Sequence, residues 1–264
     1  MNTPSRPRAT KIICTIGPAT DTSDMLGQLI EAGANVFRLN MSHSKHDWVR
    51  EVVFRIRRKA EELKANVAIL FDLQGPSIRT GDLLEPYHLK KGDTVEIRLG
   101  TAKPELPFST TVNYDGLLQD VQAGHTMVVD NGGILMRIAE VRPDRLICDV
   151  LTEGVFGSRR HINLPGVALR LPALTEKDLA DLAVAVECET DYVAMSFVRD
   201  AAHIAQLREH IDNLGGKAQI VAKIEDQQAV RHIDDIILAA DVIMVARGDL
   251  GIEVSIEELP IIQR

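Results

Sequence analysis

Apolar residues fall in two different rhythms along this chain. Residues 11–16, 35–39 and 67–71 are short, mostly apolar runs, and the stretches between them repeat apolar positions at helical spacing. Gly17-Pro18 closes the first run. Thr22 or Ser23 is placed to cap a helix through Glu31, and Gly33 to end it. A second helix is predicted over 46–64, and the third run ends at Asp72 before Gln74-Gly75-Pro76. Strand, helix, strand, helix at this spacing predicts parallel strands joined by right-handed crossovers.

From 76 to 172 the rhythm changes to alternation. Segments such as Thr94-Val95-Glu96-Ile97-Arg98 and the run 133–138 lie between turn signals at Lys91-Gly92-Asp93, Asn131-Gly132-Gly133 and Arg142-Pro143-Asp144. This predicts an inserted antiparallel β domain, a small barrel or sandwich without helices. The first rhythm resumes at Thr175, whose Thr-Glu-Lys-Asp resembles a capping box for a helix to 188. A strand over 191–195 and a helix over 201–214 follow. Apolar runs at 220–222 and 242–245 then flank one helix over 228–239, and Ser255-Ile256-Glu257-Glu258 opens another. Outside the insert, six strand–helix units average about 28 residues, near the roughly 31 of an eight-unit barrel. The expected fold is therefore α/β, of the (β/α)8 TIM-barrel type with six of eight units present and an all-β insert. The expected domains are 1–75, 76–172 and a truncated second barrel part, 173–264.

Composition narrows the function classes. The 264 residues are 45% hydrophobic and 26% charged, with net charge −8, which argues against general affinity for nucleic acid. Cys14, Cys148 and Cys188 are far apart and form no CxxC pair, as expected of reduced thiols. MNTPSRPRAT has no apolar core, and no run approaches the roughly 18 apolar residues of a membrane span. These features point to a soluble cytoplasmic protein with no membrane partner.

Charge gathers where the strands end. Lys223 and Glu225 follow the run at 220–222 and stand two apart, so they share a face, and Arg247 and Asp249 follow the next run. Arg38, Asn40 and Ser42 repeat that spacing after the second strand. Asp72 ends the third strand, with Arg79 further along. In parallel α/β folds, chemistry collects at the carboxyl ends of strands. An ammonium beside two carboxylates there suits a divalent metal and an anionic substrate. Plain ion pairs and hydrogen-bonded loops would use the same residue types.

Together the words are more specific. TKIICTIGPAT, GANVFRLNMSHS, FDLQGPSIRTG, INLPGV, LPALTEKD, DYVAMSFVRD, IVAKIED and IMVARGDLGIE occur in an order and spacing that resemble pyruvate kinase across 11–264. The resemblance implies a (β/α)8 barrel with a β domain inserted after the third strand, and transfer of a phosphoryl group from phosphoenolpyruvate to ADP in glycolysis. It implies Lys223 as the catalytic cation and Glu225 and Asp249 as ligands of Mg²⁺ or Mn²⁺. It implies Gly248 and Asp249 at the substrate carboxylate and Arg38 at its phosphate. Asn40, His43, Arg79 and Arg160 fall at the nucleotide, and Asn40, Ser42, Asp72 and the Leu73 carbonyl at a K⁺ pocket. A homotetramer is implied for a complete member.

Some positions depart from that pattern. Arg160-His161 stands where Lys-Gly is frequent, Ala229 where Gly is usual, and Ser77 where members carry Glu or Lys. Two rival functions remain on the sequence: another metal-dependent barrel enzyme of pyruvate or phosphoenolpyruvate, and a fragment or pseudoenzyme that binds without turnover. The seventh strand of the family pattern lies beyond Arg264, so the 264 residues alone are expected to be unstable and inactive.

Overall fold

The computed structural model describes residues 9–264, so most of the polar N-terminal stretch lies outside the described residues. The first part of the chain runs β1 (Ile13–Ile16), α1 (Ser23–Glu31), β2 (Val36–Asn40), α2 (His46–Glu62) and β3 (Ala68–Asp72). Then come β4 (Tyr87–Leu89), β5 (Thr94–Arg98), β6 (Ser109–Thr111), α3 (Leu117–Asp120), β7 (Thr126–Val129), β8 (Ile134–Val141), β9 (Arg145–Val150), β10 (Gly154–Phe156) and β11 (Ile162–Asn163). The last part is α4 (Glu176–Glu187), β12 (Tyr192–Met195), α5 (Ala201–Asn213), β13 (Gln219–Ile224), α6 (Gln227–Arg231), α7 (Ile233–Ala239), β14 (Val242–Val245), α8 (Arg247–Glu253) and α9 (Leu259–Gln263).

The first and last parts build one sheet in the order β1-β2-β3-β12-β13-β14, with every pair parallel. This is the expected α/β barrel type, and β1 and β14 form its two edges among the described residues. One parity of side chains packs outward on the helices: Phe37, Leu39, Ile69, Phe71, Val193, Ile220 and Ala222 join the core that buries Val49, Val52, Val53 and Ile56 of α2. The other parity forms a small inner layer of Leu70, Ala194 and Val221, with Val36, Tyr192 and Met244 against it. Burying one such aliphatic side chain contributes about 1.5–3 kcal/mol, so the alternation fixes which residues face inward.

The predicted caps hold. Thr22 accepts from Met25 N, and Thr175 and Asp178 form the reciprocal capping box of α4. The single helix expected over 228–239 is instead α6 and α7, broken at His232. Its backbone there leaves helical values (φ −107°, ψ 22°), and Nδ1 lies 2.9 Å from the Arg199 carbonyl. The last helix also starts later than expected, at Leu259.

The middle of the chain has its own core, centred on Val95, Ile97, Met127, Met136, Ile138, Cys148 and Phe156. Its larger sheet has the order β11-β7-β8-β9-β5-β6, and β10 pairs with β4. Two expectations are corrected here. The pairs are antiparallel except β5 with β6, which run parallel because β6 returns to the edge of β5 through a long connection. The short helix α3 also interrupts a stretch read as wholly β, with Leu117 buried in that core. The Asn131-Gly132-Gly133 turn between β7 and β8 is tight: Asp130, Asn131 and Gly132 all have positive φ.

Candidate active site

The inner layer of the parallel sheet explains where the polar groups arise. Val36, Leu70, Ala194 and Val221 face inward, and two residues further along each strand direction stand Arg38, Asp72, Ser196 and Lys223. A strand's period of two keeps them on the same face, at the carboxyl ends, where apolar packing gives way to an open cavity. That cavity measures about 370 Å³.

Lys223 is its centre. Its Nζ donates to Ser196 Oγ at 2.7 Å and lies 2.9 Å from Glu225 Oε1 and 3.1 Å from Asp72 Oδ1. Burial opposes the charge on this ammonium, but Glu225 and Asp72 outweigh it and raise the pKa above the ordinary lysine value. Lys223 is therefore cationic at neutral pH. Glu225 is buried, which pushes its carboxyl upward against the pull of Lys223 and of the Phe197 N–H, whose nitrogen is 2.7 Å from Oε2. Phe197 presents that N–H from a left-handed backbone (φ 55°), costly for a bulky side chain. Ser196 Oγ in turn donates to the Leu73 carbonyl at 2.8 Å. Gly75 is required beside it: φ is 70°, and a Cβ there would come 2.9 Å from Ser196 Cβ.

Arg38 reaches across to Asp72, with Nε 2.7 Å from Oδ2, and its Nη1 donates to Thr15 Oγ1 at 2.9 Å. Asn40 pairs in register with Asp72, and its Oδ1 accepts from Ser42 N at 3.1 Å. On the opposite wall, Arg79 donates to the Arg159 carbonyl at 3.1 Å and to Ser77 Oγ at 3.3 Å. Arg160 pairs with Asp130 at 3.2 Å. Half-buried His161 is pushed below the ordinary imidazole pKa, first by desolvation and then by Arg79, with Asp249 opposing.

Two features suit cations. Asp72 Oδ1 is buried, and the Lys223 ammonium 3.1 Å away is its one close polar contact among the described residues. Asp249, in the first turn of α8, lines the cavity with Glu225, and among the described residues its carboxylate makes no hydrogen bond. A pair of carboxylates with open positions fits a hard divalent ion that keeps sites for water and phosphate. Asn40, Ser42, Asp72 and Leu73, at or just after the ends of β2 and β3, all line the cavity.

The structure brings Arg38, Asn40, Ser42, His43, Asp72, Leu73, Arg79, Arg160, Lys223, Glu225 and Asp249 to this one cavity. Gly248 is exposed at the start of α8 and does not line it. Sequence reasoning left out Ser196 and Phe197, although their place directly after β12 was the available signal, and Asp130 and Asn131, which the tight turn before β8 carries in.

The fold is of the β/α-barrel type, and its strand ends bring a mostly buried lysine, two carboxylates and several arginines to one cavity. The family model described as pyruvate kinase, barrel domain, matches residues 7–264. Plastidial pyruvate kinase 2 of Arabidopsis thaliana is 40% identical over 98% of this chain and 45% of its own length. The pyruvate kinases of Clostridium perfringens and Geobacillus stearothermophilus are 39% and 40% identical over 97% of this chain, and over 54% and 44% of their own lengths. The chain belongs to the pyruvate kinase family. It spans about half the length of the curated relatives it matches. No helix among the described residues is long and apolar enough to cross a membrane.

Proposed function

We propose that this chain carries the active site of a pyruvate kinase, transferring the phosphoryl group of phosphoenolpyruvate to ADP as the pyruvate-forming step of glycolysis. The observation that carries the reading is the Lys223 ammonium held between Asp72, Glu225 and Ser196, in a cavity that Arg38, Arg79 and Asp249 also line. Phosphoryl transfer needs positioning and charge compensation more than covalent participation. Arg38 binds the substrate phosphate, and Arg79, Arg160, Asn40 and His43 hold the nucleotide. Lys223 faces the transferred group and the enolate oxygen as the bond between them breaks and a bond to the terminal ADP oxygen forms. The substrate carboxylate is assigned to the backbone where α8 begins, at Asp249, which lines the cavity, rather than at Gly248, which does not. Enolpyruvate then gains a proton at carbon to give pyruvate.

Glu225 and Asp249 would hold Mg²⁺ or Mn²⁺, which supplies Lewis-acid charge to the phosphoryl and enolate oxygens. Asn40, Ser42, Asp72 and Leu73 would hold K⁺. In this reading residues 76–172 form a separate domain over the cavity, between barrel parts 1–75 and 173–264. The full protein is cytoplasmic and tetrameric, with no nucleic-acid or membrane partner.

Two results are expected. Asp249→Asn weakens Mn²⁺ binding about tenfold or more, because one of few charged ligands is lost; water proton relaxation measures it, and an unchanged titration places the metal elsewhere. Turnover of the full-length protein is faster in K⁺ than in tetramethylammonium at equal ionic strength, because Ser77 supplies no internal ammonium and its hydroxyl is engaged by Arg79. Equal rates refute that dependence. Turnover without nucleotide would favour a rival barrel enzyme, and metal and ligand binding without turnover a pseudoenzyme.

A further inference from the structure

We propose that the first turn of α4 is a clamp that sets the two loops carrying the cation and nucleotide groups, with Lys177 and Asp178 as positioning residues. The proposal rests on the function assigned above for its consequences in catalysis, but the clamp itself is a matter of geometry.

The loop after β2 carries Asn40, Ser42 and His43 into the cavity, and Met41, between them, is buried and points away. Lys177 Nζ donates to the Met41 carbonyl at 2.7 Å from behind that loop. The same ammonium donates to Asp181 Oδ2 at 2.6 Å, and Asp181, 1% exposed, is also held by His46 Nε2 at 2.7 Å. A buried carboxylate thus fixes both the lysine on α4 and the histidine that opens α2. The Met41 carbonyl receives a charge-assisted hydrogen bond, roughly twice the strength of a neutral one.

Asp178 acts on the other loop. It is fully buried, and its Oδ1 accepts from Gly75 N at 3.0 Å while Oδ2 accepts from Thr175 N at 2.9 Å and Thr175 Oγ1 at 2.6 Å. The capping box of α4 is therefore also the anchor of the Leu73–Gly75 turn, whose Leu73 lines the cavity and accepts from Ser196 Oγ, and whose Gly75 is packed on Ser196. One helical turn thereby grips loops 136 and 103 residues away in sequence. That turn comes directly after the chain returns from the middle sheets, at Leu171, Pro172 and Ala173, where the carbonyls of Leu169 and Leu171 are held by Arg199. The clamp couples the seating of that return to the shape of both loops.

Lys223 is outside the clamp, held by Ser196, Asp72 and Glu225. Releasing Lys177 should therefore loosen ligand binding more than it slows the chemical step. Two measurements test this on the full-length protein with Lys177→Met and Lys177→Arg. Amide hydrogen exchange needs no turnover: in Lys177→Met, residues 41–44 should exchange about tenfold faster, with the strands of the parallel sheet unchanged. In steady state, half-saturating K⁺ and the KM for ADP should rise about tenfold, with kcat at saturation within about threefold, because small misplacement of binding groups is costly. Lys177→Arg, which keeps a cation donor, should recover most of both. Unaltered exchange at 41–44, acceleration spread over the whole molecule, or equal loss in Met and Arg variants would each overturn the clamp. If Lys177→Met does not fold, Lys177→Gln, a neutral donor, is measured in its place against the same criteria. Absence of any pyruvate formation by the wild type would remove the assigned function, while the exchange result would still decide the clamp.

Discussion

Replacing Lys223 by Met in the full-length protein is expected to lower kcat on the order of 10³-fold or more, with KM for phosphoenolpyruvate changed only a few-fold, as for loss of a preorganised charge-stabilising group. Methionine keeps the unbranched stem of lysine as far as Cε and removes the ammonium. Ground-state binding of the substrate phosphate is assigned to Arg38, which remains. The ammonium matters most when negative charge concentrates on the transferred group and the enolate, so its loss falls on the transition state. Its position is unusually well defined: Ser196 Oγ, Glu225 Oε1 and Asp72 Oδ1 lie 2.7, 2.9 and 3.1 Å away. Those two carboxylates are 2% exposed, and removing the cation between them destabilises the fold as well, by about 3–5 kcal/mol for a broken buried pair. Rates should therefore be normalised to folded protein by circular dichroism. A defect confined to KM would make Lys223 a binding residue only.

Much of this site was legible because it obeys strand parity. Alternation put Lys223 with Glu225, and Arg38 with Asn40 and Ser42, each on one face of its own strand, while the resemblance to the family joined them with Asp72 in one site. That Arg38, Asp72 and Lys223 each stand two residues beyond an inward-facing apolar residue is visible only in the folded sheet. Ser196 obeys the same rule, but a lone serine after a strand carries no chemical signal until Lys223 is seen donating to it. Backbone groups were less legible still. The Phe197 N–H reaches Glu225 only because φ is positive at a residue whose identity gives no hint of it. The break between α6 and α7 depends on His232 meeting the Arg199 carbonyl, a contact between segments whose proximity only the folded sheet provides. The parallel pairing of β5 with β6 likewise depends on how a long connection folds back, and alternation within a strand is indifferent to its partner's direction.

Produced as residues 1–264 and nothing else, the polypeptide is expected to self-associate, to lack one cooperative unfolding transition, and to form no pyruvate. The parallel sheet does not close on itself: β1 and β14 are its edges among the described residues. Both edges are apolar and open, with Ile12, Ile13 and Val242 exposed at 40%, 51% and 39%. The helices near β14 and the turn between α8 and α9 are uncovered too, leaving Leu238, Ile256 and Ile261 exposed at 86%, 74% and 75%. Unpaired strand edges template association with other chains, and closure of a barrel removes them. If further strand–helix units buried about 400 Å² of this apolar surface, the gain would be roughly 10 kcal/mol at 25 cal/mol per Å². That is comparable to the whole stability of an ordinary domain. The middle sheets have a separate core of their own around Ile97, Met136 and Phe156 and should retain structure regardless. Size-exclusion chromatography with light scattering, thermal unfolding followed by circular dichroism, and a lactate-dehydrogenase-coupled assay measure the three outcomes. A monodisperse species that unfolds cooperatively and turns over at an ordinary rate would show that an open six-stranded sheet suffices for stability and for catalysis.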